Sequence, residues 1–278
     1  MEALKLYFSP CPNDTFIFDA LVNGRIKRPG PELEVMTGDI ETLNQLVFSG
    51  IPDIAKLSFH AYAHVADKYY ILPSGAAMGE NNGPLLVSKR KIYPDEVESV
   101  KIAIPGEYTT ANLLLGIACP GAKDKIPCLF SDIEEFVLSG EADAGLIIHE
   151  TRFSYEKKGL SKIIDLGEYW QEKTGMLIPL GGIAIKKVLP NDVIGLFSKL
   201  LRESIEYAVA NPGASLGYIR KYAQELDDEV IYRHIQLYVN DYTIDMGDRG
   251  RDSLKTLYRI AFENRIIPSG PGEDMFPD

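Results

Sequence analysis

Side chains able to move a proton near neutral pH are scarce in this 278-residue chain, which has four histidines and three cysteines. The most suggestive is His149, at the end of Ala142-Asp-Ala-Gly-Leu-Ile-Ile-His149-Glu150. Ala144 to Ile148 reads as a short buried strand, and open α/β sheets bind ligands just beyond the carboxyl ends of their strands. An imidazole at that edge titrates near pH 7 and can act as a general base. The alternative is a structural histidine that ends the strand and bonds a carbonyl. His60 and His64 have a spacing that can hold zinc, but no Glu lies between them in a His-Glu-x-x-His pattern, and no cysteine or third histidine is near. Packing or surface histidines are expected there, and no metal site. Cys11, between two prolines near a predicted helix start, is a conceivable nucleophile. A small packing residue is the preferred reading.

Two short stretches, one near the N-terminus and one at a helix start, could hold a ligand beside such a base. Ser9-Pro-Cys-Pro-Asn13-Asp14 links a strand to a helix, and serves either as an anion or polar-ligand cradle or only as a capped turn. Lys56-Leu57-Ser58 ends another strand. Thr109-Thr110 precede a helix from Ala111 to Ala118, whose first N–H groups have no intrahelical partner and face the cleft. Asn81 and Asn82 sit in a glycine-containing loop, 75–83.

The totals narrow the function further. A net charge of −11 supports neither nucleic acid nor an anionic membrane as partner, though it permits a small anionic ligand held by backbone dipoles. No apolar run approaches the ~18 residues of a membrane span. Met1 to Ser9 is too short and polar for a signal peptide. Three cysteines cannot all pair, and none forms Cys-x-x-Cys, so reduced thiols and a cytoplasmic location are expected.

The elements that must position these residues alternate between strand and helix. Strands are predicted at 5–9, 33–36, 54–58, 69–73, 84–88, 101–105, 126–130, 144–148, 163–165 and 180–186. Helices are predicted at 13–23, 40–48, 59–68, 111–118, 132–138 and 166–172. Such alternation implies mostly parallel α/β sheets. A polar stretch from Lys89 to Ser99 suggests a passage between lobes. The expected plan is a first lobe of residues 1–88 plus 182–278 and an inserted second lobe of 89–181. The strands 84–88 and 180–186 would be the two crossings. Four helices, at 192–210, 212–224, 227–239 and 248–264, should wrap the first lobe, and the tail 268–278 reads as flexible.

Ser9-Pro-Cys-Pro-Asn-Asp-Thr-Phe16, Lys56-Leu-Ser58, Asn81-Asn-Gly-Pro84, Thr109-Thr110 and Ile148-His-Glu150 together resemble the 1,4-dihydroxy-6-naphthoate synthase family of menaquinone biosynthesis. The resemblance runs to about Ile267 and rests chiefly on the first motif. It implies an α/β, two-lobed fold like the type II periplasmic binding proteins, with two three-layer lobes joined by two crossover strands. It implies a lyase that splits cyclic dehypoxanthine futalosine into 1,4-dihydroxy-6-naphthoate and dihydroxyacetone without a cofactor. His149 matches the family's base. Lys56, Leu57 and Ser58 match one substrate-binding turn, and Thr109, Thr110 and Ala111 another. Asn13 and Asn82 join them as substrate-binding candidates, while roles for Asp14, Asn81 and Glu150 stay open. The expected partner is a small-molecule carboxylate, and the expected assembly a monomer or homodimer. Chorismate dehydratase of the same pathway and a non-catalytic small-molecule-binding protein are the competing readings.

Overall fold

The computed structural model of the chain describes residues 3–80, 82–223, 227–272 and 274–277. The chain begins β1 (Leu4–Phe8), α1 (Pro12–Val22), β2 (Leu33–Thr37), α2 (Ile40–Phe48), β3 (Ile54–Ser58), α3 (Phe59–Tyr62), β4 (Tyr69–Ile71) and β5 (Ala77–Gly79). It continues β6 (Leu85–Ser88), β7 (Ile102–Ile104), α4 (Thr110–Ala118), β8 (Lys125–Pro127), α5 (Ile133–Ser139), β9 (Ala144–Ile147), β10 (Ser161–Asp165) and α6 (Leu166–Thr174). β11 (Ile178–Lys186) follows, then α7 (Asn191–Ala210), α8 (Leu216–Ile219), α9 (Asp228–Tyr238), α10 (Asp241–Ile244) and α11 (Gly247–Glu263).

Two mixed sheets organise these elements. The first has the order β2-β1-β3-β11-β4, with β5 also on β11. The second has the order β10-β6-β9-β7-β8. In the first, β1 pairs parallel with β2 and β3, and β11 runs antiparallel against β3, β4 and β5. In the second, β7 pairs parallel with β8 and β9, and β6 runs antiparallel against β9 and β10. The parallel pairs are linked by helical crossovers, as parallel strands require.

The strand expected to be a first-lobe crossing at Pro84–Ser88 belongs to the second sheet instead, where Leu85 pairs Ile147 and Ser88 pairs Ala144. Leu85, Leu86 and Val87 are buried. Their run of apolar side chains marks an interior strand without naming its partner, because pairing is a long-range choice. β11 stays in the first sheet throughout, so the two strands do not form a matched set of crossings. The chain enters the second sheet between Gly79 and Leu85 and leaves it between Asp165 and Ile178.

Apolar packing occupies three clusters. One lies between the first sheet and α1, α7, α8 and α9, and includes Leu6, Phe18, Ile183 and Leu201. Another covers the outer face of the second sheet with α5 and includes Val87, Ile133 and Ile147. The largest runs continuously from Tyr7, Leu57 and Ala184 of the first sheet to Leu86, Ile102 and Leu146 of the second. The two lobes therefore share a core rather than meeting only across a cleft.

The tail corrects another expectation. Met275 is 3% exposed, its carbonyl accepts Ile71 N–H at 2.7 Å, and Asp274 pairs with Lys187 at 2.9 Å. β4 is an edge strand, and this segment covers its unpaired backbone. Its Pro-Gly composition hid the apolar anchors Met275 and Phe276. The predicted helices at 59–68 and 212–224 are also shorter, ending at Tyr62 and reduced to a 3-10 turn plus α8. Among the described residues, no helix is long and apolar enough to cross a membrane.

Candidate active site

A cavity opens where residues carried by the two sheets meet. From the first sheet and its helices come Ser9, Asn13, Asp14, Lys56 and Ser58. From the second sheet's side come Thr109, Thr110, Ala111, Ile148 and His149. Asn82 lies in the connection from β5 to β6, and Ile40, Ala77, Pro84, Leu180, Gly181 and Tyr238 complete the wall. Every substrate-binding candidate from the sequence reaches this wall except Leu57. Strand side chains alternate between faces. Lys56 and Ser58 therefore face the cavity, while Leu57, wholly buried, packs in the core shared by the lobes. Asn81 lies outside the described residues, as does the side chain of Glu150.

His149 is separated from β9 by one residue, Ile148, and starts a 3-10 turn, His149–Phe153. Its backbone is left-handed, with φ of +59°. Phe130 meets the ring edge-on at 5.0 Å, and His234 lies nearly parallel to it at 6.0 Å and 23°. Burial pushes the imidazole down to about 4; nearby Asp14 opposes that shift and Lys56 adds to it. The ring is thus neutral at pH 7 and can accept a proton.

The first motif is a turn held by its own acid. Cys11 is the N-cap of α1 and Pro12 its first residue, a position proline tolerates. Asp14 accepts Ser9 N–H at 3.2 Å and Asn13 Nδ2–H at 2.8 Å. It also lies 3.0 Å from Lys56 Nζ. That ammonium is buried and, among the described residues, makes no well-directed hydrogen bond beyond this ion pair. Asp14 thus puts a carboxylate inside this loop, which lines the site. Cys11 is buried at the cap, and the wall beside it is formed by Ser9, Asn13 and Asp14.

A candidate anion position lies across the cavity. Thr109 caps α4: its hydroxyl accepts Asn112 N–H at 3.3 Å and donates to Gly106 O at 2.9 Å. The Thr110 hydroxyl donates to Leu180 O at 2.5 Å and accepts His60 N–H at 3.2 Å. Both threonine hydroxyls are therefore committed to structure. What α4 offers is the N–H groups of Thr110 and Ala111, which have no carbonyl a turn earlier. Opposite them, Ser58 Oγ accepts from Asn44 Nδ2 at 3.3 Å, which leaves its own proton to donate. His60 Nδ1 faces the Thr109 carbonyl at 3.2 Å, and His60 and His64 pack with Tyr108 as an aromatic cluster.

Asn82 is 1% exposed, and among the described residues neither end of its amide has a hydrogen-bond partner. An unsatisfied buried amide costs about 1–3 kcal/mol, so a ligand that pairs with it recovers that cost. Its loop is pinned: Arg152 Nη1 donates to Gly83 O at 2.9 Å, and Gly83 packs so closely on Gly167 that an added Cβ would lie 2.3 Å from the Gly167 Cα.

Sequence reasoning did not mark His234 or Tyr238. Both lie on the buried face of α9 with Ile231 and Ile235, where the one available signal was a histidine at an inward helical position.

A model of the menaquinone biosynthesis family matches residues 4–263. The 1,4-dihydroxy-6-naphthoate synthase of Thermus thermophilus is 44% identical over 271 residues, covering 98% of each chain. That of Streptomyces coelicolor is 37% identical over 283 residues, covering 99% of each. The crystal structure of an Archaeoglobus fulgidus protein superposes with a TM-score of 0.91 at 38% identity, covering 95% of this chain and 98% of that one. The ligand-binding component of a Staphylococcus aureus ABC-type import system shares the fold alone: TM-score 0.71 at 13% identity, covering 100% of this chain and 97% of that one. The fold is accordingly α/β, two-lobed and periplasmic-binding-protein-like. The chain belongs to the menaquinone biosynthesis family and is a lyase of the 1,4-dihydroxy-6-naphthoate synthase kind.

Proposed function

We propose that the protein converts cyclic dehypoxanthine futalosine to 1,4-dihydroxy-6-naphthoate and dihydroxyacetone, with His149 as general base. The observation that carries the reading is the meeting, around one cavity, of a neutral imidazole from the second sheet with Ser58 from the first and the start of α4. The substrate carboxylate is held by the Ser58 hydroxyl and the N–H groups of Thr110 and Ala111. Asn82, Asn13 and Lys56 contact the rest of the molecule. His149 withdraws a proton from the reacting end of the substrate, and aromatisation of the departing ring supplies the driving force. The shared apolar wall of Ile40, Ile148 and Leu180 keeps water from the reacting atoms.

The location we assign is the cytoplasm, with the small carboxylate as partner and no nucleic acid or membrane required. The decisive experiment is a turnover assay of purified protein with the cyclic substrate, followed by the naphthoate chromophore, with chorismate in parallel. Product from the cyclic compound supports the reading. Turnover of chorismate alone, or bound solute without turnover of either, rejects it.

A further inference from the structure

His234 lies on α9, away from every motif the sequence marks for chemistry, and is completely buried. Its Nε2 is 2.9 Å from Asn13 Oδ1. The Asn13 amide is oriented from its other end, where Nδ2 donates to Asp14 Oδ1 at 2.8 Å, and Asp14 in turn pairs with Lys56. Oδ1 of Asn13 is therefore the acceptor, and His234 carries its proton on Nε2. A run of polar contacts thus leads from Lys56 on β3, through α1, to a ring on the C-terminal helices.

That same ring lies nearly parallel to His149 at 6.0 Å, and Tyr238 packs on it at 4.7 Å. His149 needs such support. A left-handed backbone at a non-glycine residue is strained and persists only where the surroundings over-determine it. Phe130 and His234 supply two ring contacts from different elements. Burial, His149 and Lys56 all disfavour a proton on His234, so it stays neutral and does not compete for the one His149 takes.

We propose that His234 is a positioning residue of this enzyme: it fixes the Asn13 amide through Nε2–H and holds the His149 ring, tying the base to the Lys56 side of the cavity. The role rests on the reading of His149 as base.

Two measurements test it. In the unaltered protein at pH 7, long-range ¹⁵N NMR of the histidine rings should show His234 neutral with its proton on Nε2. A proton on Nδ1, or a charged ring, overturns the proposal, and this readout needs neither a variant nor activity. In kinetics, His234→Phe keeps a ring and loses the donor, whereas His234→Gln keeps a donor. The expected result for His234→Phe is a kcat about ten- to hundredfold lower, the scale of a misplaced catalytic group, with KM little changed. His234→Gln should recover most of that loss. A folded His234→Phe protein with parental kcat, or a folded His234→Gln protein as slow as His234→Phe, overturns the proposal. Should His234→Phe not fold, the tautomer decides. Full turnover in His149→Ala would instead sink the base assignment, leaving the His234–Asn13 bond to be judged by NMR.

Discussion

At the residue scale, His149 joins low proton affinity to a place on the cavity wall. With the imidazole held near 4 by burial, kcat/KM should be flat from about pH 8 to about pH 5 and fall only below that. An unperturbed histidine would place the acid limb near 6.5. A pH–rate profile separates the two. His149→Ala should lose roughly 10²–10⁴ in rate, the usual contribution of a positioned base, while calorimetry finds ligand affinity retained. Lys56 and Asp14 are a different case. Their side chains are only 7% and 0% exposed, so Lys56→Met strands a buried carboxylate. The expected loss is roughly 3–5 kcal/mol in denaturant unfolding. Adding Asp14→Asn should restore much of it. An unchanged midpoint in Lys56→Met would show that the pair carries no such weight. These residues were legible because their types and spacing are local facts. The neutrality of the imidazole was not, since it depends on what surrounds it.

The element scale explains how loops are held as firmly as strands. The connection between β5 and β6 carries Asn82, and it is gripped by Arg152 from the turn after His149 and by Gly167 at the start of α6. Gly83→Ala would force a Cβ onto the Gly167 backbone, and two main chains must separate to accommodate it. We expect a stability loss of roughly 1–3 kcal/mol by thermal melting, together with a raised KM as Asn82 moves. A parental KM in a folded Gly83→Ala protein would show that Asn82 is not placed by this contact. Periodicity located β3, α2, β9 and α4 nearly to the residue, since Ile54–Ser58 and Ile40–Phe48 were expected at those same bounds. It misplaced β6, because an apolar run says that a strand is interior without saying to which sheet it belongs.

For the whole molecule, neutral buried histidines make acid the weak side. His60 and His149 are both held near 4 by burial, while unfolded histidine titrates near 6.5. Between those values the unfolded chain binds more protons, so stability falls as pH drops from about 6.5 to about 4. Each group contributes up to roughly 3 kcal/mol of that loss at pH 4. Glu41, raised by burial, works in the opposite sense and offsets a part. Denaturant midpoints should be level above about pH 7 as far as these groups are concerned, and should decline below it. No decline between pH 6.5 and 4.5 would mean that the rings are protonated in the fold. The continuous core from Leu57 to Leu146 also joins the lobes. Hydrogen bonds cross the same junction, from Tyr108 N–H to Glu41 and from Thr110 to Leu180.

Taken alone, the amino-acid order settled most of the strands and helices, though not β5 or the short extents of α3 and α8, and several of the side chains that could bind an anion or take a proton. Those properties follow from neighbouring residues and from the backbone's 2-residue and 3.6-residue periods. Tertiary structure alone decided that Leu57 faces the core, that β6 joins the second sheet, that Met275 docks on β4, and that His234 stands against His149. Each of these depends on which surfaces meet across long stretches of chain, and local periodicity carries no information about the partner.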